Sequence, residues 1–494
     1  MRVLTDRVGS VPTDHTDPGD HRSVAVVGAG ITGLVAAYEL RRRGVNVTLY
    51  ESSSHAGGVI RTSRSDGFLA EHGPNSFMTS PAVELLLAQL DLHAEVVEAN
   101  PAAKKRFVVR NGMLLPVPLS PPAMLATKLF TMTAKLRLLL EPLVKPGAAG
   151  ADESVASFVR RRLGREVLDY AIDPFVSGVY AGDPETLSMA HAFPRVFGLE
   201  RDSGSIAKGV FAARRTAGKS RKRDGATARS QRTGTGAVIS AAPRLVSFAN
   251  GMGALTHALE ASLTGTLRLN TPVRLLHRNE MRWIVDAGPD GASRTRSVDA
   301  VVMATPAHVL AAMELPAALR RHGTPVERIE YAPVSTLTLG FRKAAVEHAL
   351  DGFGMLLPAV ERRGVLGALF NSTLFPNRAP DGHATITCFI GGARHPARAG
   401  EPTDLLVARA MQDLRELLGA RGDPVFVKHV FWPRAIPQYS VGYGAVKESA
   451  DTMELANPGL YLAGSYRSGV SVSDCVAAGQ RIAERVVAYL ARAG

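Results

Sequence analysis

Only two cysteines, Cys388 and Cys475, occur in 494 residues, each in an apolar setting. Two isolated thiols exclude a disulfide framework and any zinc-binding spacing, and they suit a reducing cytosol. No apolar run reaches the roughly eighteen residues of a membrane span. The first 21 residues carry Asp6, Asp14, Asp17 and Asp20 and lack an apolar core, so they do not read as a secretory signal; residues 1–22 are expected to form a disordered tail. No Ser/His/Asp set, metal-ligand cluster or pair of acids stands out, and His72, His308 and His429 are scattered and read as structural. Acids are outnumbered, 45 against 58 Lys and Arg, for a net charge of +13. What is present is a hydrophobic fraction of 46% with 21% charged residues, the balance of a folded globular chain long enough for two or three domains.

The most informative stretch runs from Val24 to Glu51. An apolar strand ends in Gly28-Ala29-Gly30-Ile31-Thr32-Gly33, a helical segment with Leu34, Ala37, Tyr38 and Leu40 follows, and a second strand, Val45 to Tyr50, ends at Glu51. Gly28 permits the tight turn, Gly30 lets backbone N–H groups approach a pyrophosphate, and Gly33 lets the helix pack close to the sheet. A helix N-terminus offers free N–H groups and a positive dipole end to phosphate. Glu51 is 18 residues beyond Gly33, where a carboxylate can accept ribose hydroxyls. A bare G-x-G-x-x-G is often only a turn; here strand, helix, second strand and acid all fall in place for a dinucleotide. After Ser52 comes a second glycine pair, Gly57-Gly58-Val59, and then Arg61, which suits a longer cofactor whose diphosphate the chain must pass closely; a plain surface turn is the alternative.

With these residues the chain resembles the FAD-containing amine oxidase and protoporphyrinogen oxidase superfamily. The resemblance narrows to the protoporphyrinogen oxidase family at Gly178-Val179-Tyr180-Ala181-Gly182-Asp183 with Leu187-Ser188 and Ala192-Phe193-Pro194, at Phe431-Trp432-Pro433-Arg434, and at Leu462-Ala463-Gly464-Ser465 through Val470-Ser471-Val472. It spans about residues 23–490. It implies an α/β and α+β fold with a discontinuous Rossmann-like FAD-binding domain (23–95, 245–305 and 450–494), a mostly helical membrane-associating insertion (96–212) and a mixed-sheet substrate domain (306–449). The substrate sheet is expected to use Ser335–Phe341, Gly354–Leu357 and Thr385–Ile390. It further implies cofactor contacts from the turn Gly73-Pro74-Asn75-Ser76 beside the flavin ring, from Trp432, from the C-terminal glycine turn and, through its backbone, from Val273 to the adenine.

The same resemblance implies the chemistry. FAD takes two electrons per round from a porphyrinogen, oxygen is the final acceptor, and hydrogen peroxide is released; no metal is required. Arg106 matches an arginine that pairs with a propionate, as a guanidinium fork suits a carboxylate; Lys104 and Lys105 are adjacent alternatives, and a surface hairpin charge is the bland reading. The Gly178 carbonyl faces the macrocycle, and Phe353, Gly354, Leu356 and Phe389 form apolar walls. Protoporphyrinogen is the leading substrate and coproporphyrinogen the close rival. An amine oxidase or carotenoid desaturase, and a non-catalytic porphyrin-binding flavoprotein, are the other readings. A homodimer and a transient contact with the next haem-pathway enzyme are further expectations.

Two basic stretches bear on partners. From Arg214 to Gly236 eight Lys and Arg face one acid, Asp224, which accounts for more than half of the net charge. Residues 213–237 are expected to be a flexible loop that anionic lipid attracts, or a solvated insertion; no aromatic or recognition-helix pattern points to nucleic acid. Between Pro121 and Val144, apolar residues at helical spacing alternate with Lys128, Lys135 and Arg137, fitting either core packing or a peripheral membrane helix with snorkelling cations. The expected location is the cytoplasm, on the membrane face.

Overall fold

The computed structural model describes residues 22–148, 150–223, 243–279, 282–289, 291–315 and 317–493. The expected tail thus lies outside the described residues except for Arg22. The chain divides into two compact units: Met1–Gly58, Leu255–Arg328 and Val446–Gly494 form one, and Val59–Ala254 with Ile329–Ala445 form the other.

In the first unit the strand Ser23–Val27 is buried from Val24 to Val27. A strand covered on both faces belongs inside a parallel sheet. It pairs in parallel with Asn46–Tyr50 on one side and Ala300–Met303 on the other, and Leu267–Arg268 and Leu460–Leu462 complete a five-stranded sheet. The helix Ile31–Arg42 ends in Arg41 and Arg42, cations suited to the negative end of its dipole. The last helix, Val472–Ala493, packs on it so closely that a Cβ at Gly479 would stand 2.7 Å from the Thr32 carbonyl oxygen. A separate antiparallel sheet holds Val273–Asn279, Arg282–Ala287 and Arg294–Val298.

The second unit is built on a seven-stranded sheet in the order Phe426–Pro437, Tyr331–Arg342, His383–Gly391, Gly367–Leu369, Gly352–Leu356, Lys105–Arg110 and Met113–Pro116. Every neighbouring pair is antiparallel except Gly352–Leu356 with Lys105–Arg110. The helix Thr403–Leu418 covers this sheet, burying Leu406, Leu414 and Leu418 against a core that includes Phe341, Ile386 and Cys388. Each of those leucines contributes roughly 2 kcal/mol by leaving water. The hairpin turns at Asn111 and Gly112, both at positive φ (52° and 72°), the type I′ geometry for which Asn-Gly is suited. The remaining helices include Val155–Arg162, Asp173–Tyr180, Pro194–Ser203 and Ile206–Arg223. Among them the fully buried Arg162 pairs with Glu200 at 2.5 Å and Glu141 at 3.2 Å.

Several expectations are corrected. The hairpin, expected in the helical insertion 96–212, instead extends the seven-stranded sheet through its parallel pairing with Gly352–Leu356. The boundary expected at 95 comes at Gly58, because Phe77–Met78 and Val96–Glu98 pair with Leu245–Phe248 in the second unit. The stretch from Met124 to Leu143 is not one amphipathic helix. Ser120 caps Pro121–Ala126, and Thr131, by accepting the Ala134 N–H at 3.3 Å, starts Met132–Leu139 afresh. Lys135 does not snorkel. It is 8% exposed and donates to the Leu125 and Thr127 carbonyls, both at 2.7 Å, closing the end of the preceding short helix. The loop expected from 213 begins as the last turns of the helix Ile206–Arg223, whose Ala, Lys and Arg favour helix; 224–242 lie outside the described residues.

Candidate functional site

Each unit gathers a part of the predicted site. In the first, the turn from Gly28 to Gly33 joins the central strand to its helix. Gly28 has φ +98°, and a Cβ on Gly33 would stand 1.9 Å from the Gly28 carbonyl oxygen, so neither position admits a side chain without displacement. Ala29 donates its N–H to Glu51 Oε2 at 2.8 Å, and Ser53 donates to Oε1 at 2.9 Å, with the Ser52 hydroxyl at 3.4 Å. These bonds orient the carboxylate while leaving acceptor positions on it. Gly57 bridges to Gly30, and a Cβ on Gly58 would lie 3.4 Å from the Gly30 Cα. The segment leading to Val273 is tied here too, with Thr271 N–H donating to the Glu51 carbonyl at 2.8 Å. At the C-terminal turn Gly464 has φ +124°; Ser465 opens the helix Ser465–Ser468, and after Val470 the Ser471 hydroxyl caps the helix starting at Val472 by accepting the Asp474 N–H at 3.1 Å.

Two observations show that a dinucleotide fits this cradle. A Cβ built on Gly30 meets nothing within 4 Å, and the helix that begins at Ile31 takes no side-chain cap among the described residues. Thr305, which neighbours both Gly28 and Gly464, buries its Oγ1 without a hydrogen-bond partner among the described residues. Glu51 and the backbone of Gly28 through Gly33 would hold the ribose and phosphates.

The second unit gathers Val59, Arg61, Gly73, Pro74, Asn75, Ser76 and Trp432. The Arg61 guanidinium lies 5.6 Å from the Trp432 ring centroid, and Trp432 Nε1 donates to the His72 carbonyl at 2.7 Å. A Cβ on Gly73 would meet the Val59 carbonyl oxygen at 2.4 Å. Asn75 donates to the Gly73 carbonyl at 3.1 Å and accepts from Asn371 at 2.6 Å, so both ends of its amide are held. His72 is pushed down by burial, with Lys428 and Arg61 adding to the effect, and stays neutral at pH 7. Beneath this turn Glu71, 3% exposed, accepts from the Thr62 hydroxyl at 2.6 Å and from the Met252 N–H at 2.9 Å. Burial pushes it up to about 7, and Arg378 at 4.0 Å does not offset that.

The six residues expected to meet the substrate also converge. Arg106 and Gly354 are register partners, and the Arg106 guanidinium stands 5.2 Å from the Phe353 ring centroid. Leu356 is opposite Gly367, which is in turn opposite Phe389. A Cβ on Gly178 would lie 2.9 Å from Leu356 Cδ2, so the helix carrying Gly178 rests on this strand. Lys105 is committed elsewhere, its Nζ 2.5 Å from Asp351, whose carboxyl it holds below the usual range. Arg106 and Lys104 remain as exposed cations, with Arg106 beside the Phe353 ring.

Residues 31–487 match the family model described as flavin containing amine oxidoreductase. The chain is 34% identical over 504 aligned positions to protoporphyrinogen oxidase 2, chloroplastic/mitochondrial, of Arabidopsis thaliana, covering 98% of this chain and 97% of that protein. The chain belongs to the protoporphyrinogen oxidase family of flavin containing amine oxidoreductases. Coproporphyrinogen III oxidase of Bacillus subtilis is 26% identical over 95% of this chain and 98% of its own length. A crystal structure from Exiguobacterium sp. 255-15 shares the fold, with a TM-score of 0.74 at 24% identity, covering 94% of this chain and 98% of that one.

The sequence reading did not single out several residues that adjoin the predicted ones. Phe175 and Val179, 46% and 38% exposed, flank Gly178 on its helix and form an apolar stripe with it. Their i, i+3, i+4 spacing was a visible signal. Asn371, Glu71 and Thr305 carried no signal, because each acts through partners distant in sequence.

Proposed function

We propose that this chain oxidises protoporphyrinogen IX to protoporphyrin IX, with FAD as cofactor and oxygen as acceptor, releasing hydrogen peroxide in a late step of haem biosynthesis. The observation that carries the reading is the slot: an exposed guanidinium, Arg106, over Phe353 at the edge of apolar residues Leu356 and Phe389, with Gly178 lying against Leu356. A flat macrocycle with acid side chains needs an apolar sandwich and a cation at its rim. FAD, when bound, accepts hydride from the macrocycle. Arg106 anchors a propionate, Phe353 and Leu356 exclude water from one face, and the small Gly178 lets its helix close onto Leu356. Asn75, with its amide fixed at both ends, holds the turn Gly73 to Ser76 in shape. Glu51 and the glycine turn form a Rossmann-like cradle for the adenosine diphosphate half.

Coproporphyrinogen carries four propionates and calls for more cations at the rim. Tying Lys105 to Asp351 removes one of three adjacent cations, which favours the substrate with two propionates. Aerobic turnover of the purified yellow protein with both porphyrinogens, followed by porphyrin fluorescence and peroxide, tests the assignment. Faster turnover of coproporphyrinogen would reverse the substrate order, and turnover of neither would remove the enzyme reading.

The same proposal includes a peripheral place on an anionic membrane surface. Core packing accounts for the buried Leu129 and Phe130 of the run but not for Leu125, Met132, Leu136, Leu139 and Leu143, each at least 58% exposed. Among the described residues no helix is long and apolar enough to cross a membrane, which leaves insertion at the interface as the fitting mode.

A further inference from the structure

The helix Asp173–Tyr180 supplies Gly178 to the slot, and one carboxylate governs its placement. It follows a π-helical turn, Leu168–Ile172, a local irregularity of the kind that often accompanies functional sites. Asp173 is 5% exposed and uses its two oxygens in different directions. Oδ1 pairs with the Arg394 guanidinium. Oδ2 accepts the Ala359 N–H at 2.8 Å. Arg394 also donates from Nη2 to the Ser177 hydroxyl at 2.6 Å, one turn further along the same helix.

The partners lie where the other walls leave the sheet. Ala359 is three residues beyond the strand Gly352–Leu356, which carries Phe353 and Leu356. Arg394 is three residues beyond His383–Gly391, which carries Phe389. Ala393 grips the far end of the helix, its N–H donating to the Ala181 carbonyl at 2.7 Å, and Gln438 donates to the Tyr180 carbonyl at 3.0 Å. Asp173 therefore joins three separate wall elements through one buried group. Gly178 rests directly on Leu356, a Cβ at its position falling 2.9 Å from Leu356 Cδ2, so a small shift of the helix moves one apolar wall against the other.

Resting on the porphyrinogen reading above, we propose that Asp173 and Arg394 are a positioning pair that sets the width of the slot and thereby the affinity for the macrocycle. Neither needs to touch substrate. Loss of Arg394 leaves the buried Asp173 carboxylate unmatched, loss of the Asp173 charge frees the partly exposed Arg394 from the helix start, and in either case the helix relaxes away from the sheet.

The test compares Asp173→Asn, Arg394→Gln, Arg394→Lys and Ser177→Ala in the FAD-loaded full chain, reading KM and kcat for protoporphyrinogen, equilibrium binding of protoporphyrin by its fluorescence, and flavin per chain. Asp173→Asn and Arg394→Gln should each raise KM and weaken porphyrin binding about tenfold, with kcat within about threefold and flavin content unchanged. Arg394→Lys keeps a cation opposite Asp173 and should recover most of the loss. Ser177→Ala leaves the ion pair intact, is the variant safest for folding, and should weaken binding by about twofold to threefold. Lower thermal stability with KM and porphyrin binding unchanged would overturn the proposal and leave a merely structural pair. Failure of the unaltered chain to turn over porphyrinogen would count against the function, whereas the ratio of porphyrin binding between variant and unaltered chain judges the pair itself.

Discussion

Replacing Arg106 by alanine isolates the rim of the slot. The side chain is exposed and has no acid partner among the described residues, so its removal leaves no buried charge behind. What it would lose is a charge-assisted contact to a propionate, worth about 1.5–3 kcal/mol. Water reaches this position, so the low end applies, and about 1.4 kcal/mol corresponds to roughly a tenfold rise in KM. The chemistry proceeds away from the carboxylate, so kcat should stay within about threefold and flavin content should not change. Arg106→Lys keeps the charge but loses the planar fork over Phe353, and about threefold is expected. Lys105→Ala is the internal control. Its ammonium is already engaged with Asp351 at 2.5 Å, so KM should move by less than about twofold. The assay is initial-rate porphyrin fluorescence in air across a range of protoporphyrinogen concentrations. Equal KM shifts for Arg106→Ala and Lys105→Ala, or none for either, would refute the placement of the propionate at Arg106.

Gly33→Ala puts a methyl group 1.9 Å from the Gly28 carbonyl oxygen and should destabilise the turn on the order of 3 kcal/mol, seen as a colourless or aggregated product; a yellow, stable variant would contradict the cradle. Glu71 has a folded pKa of about 7 against 4.5 for a free carboxyl, so its proton stabilises the fold fully below about 4.5, and that stability is lost as pH rises through about 7. The melting temperature of the unaltered chain relative to Glu71→Gln should therefore fall between pH 5 and pH 8 in thermal scans, and a constant difference would show that Glu71 is ionised in the fold. Changing Leu136, Leu139 and Leu143 together to glutamine should weaken flotation with anionic vesicles by about tenfold or more while detergent-assayed turnover stays the same, since each exposed leucine offers roughly 1 kcal/mol or more to an interface; undiminished flotation would remove this face from the membrane.

The parts of this protein that were legible in its sequence are those where local geometry dictates residue type. Gly28 and Gly33 could be read because a positive φ and a close carbonyl permit nothing larger. Asn111-Gly112 announced its hairpin for the same reason. The parallel pairing of Lys105–Arg110 with Gly352–Leu356 was not legible, since nothing local links strands some 240 residues apart. The caps at Ser120 and Thr131 were legible in principle, but the apolar periodicity masked them. Lys135 looked like a surface cation because its two carbonyl partners exist only after the chain has turned. Arg106 and Phe353 were singled out through resemblance; their spacing alone says nothing. The Asp173–Arg394 pair joins residues 221 apart, which no pattern within either segment reveals.

The five-stranded parallel sheet has a consequence for how the protein is made. Its inner strand, Ser23–Val27, is made long before the edge strand Leu460–Leu462 and the helix Val472–Ala493 that covers Ile31–Arg42. At roughly 10 residues per second, more than about 40 s separate the two on a ribosome. Through that interval the apolar strand and its helix lack their permanent cover, so a nascent chain must be shielded by chaperones or by transient contacts with its own middle segments. Synthesis of Val472–Ala493 is then the step that covers the cradle's helix, and flavin capture should follow it rather than accompany synthesis of the first strand.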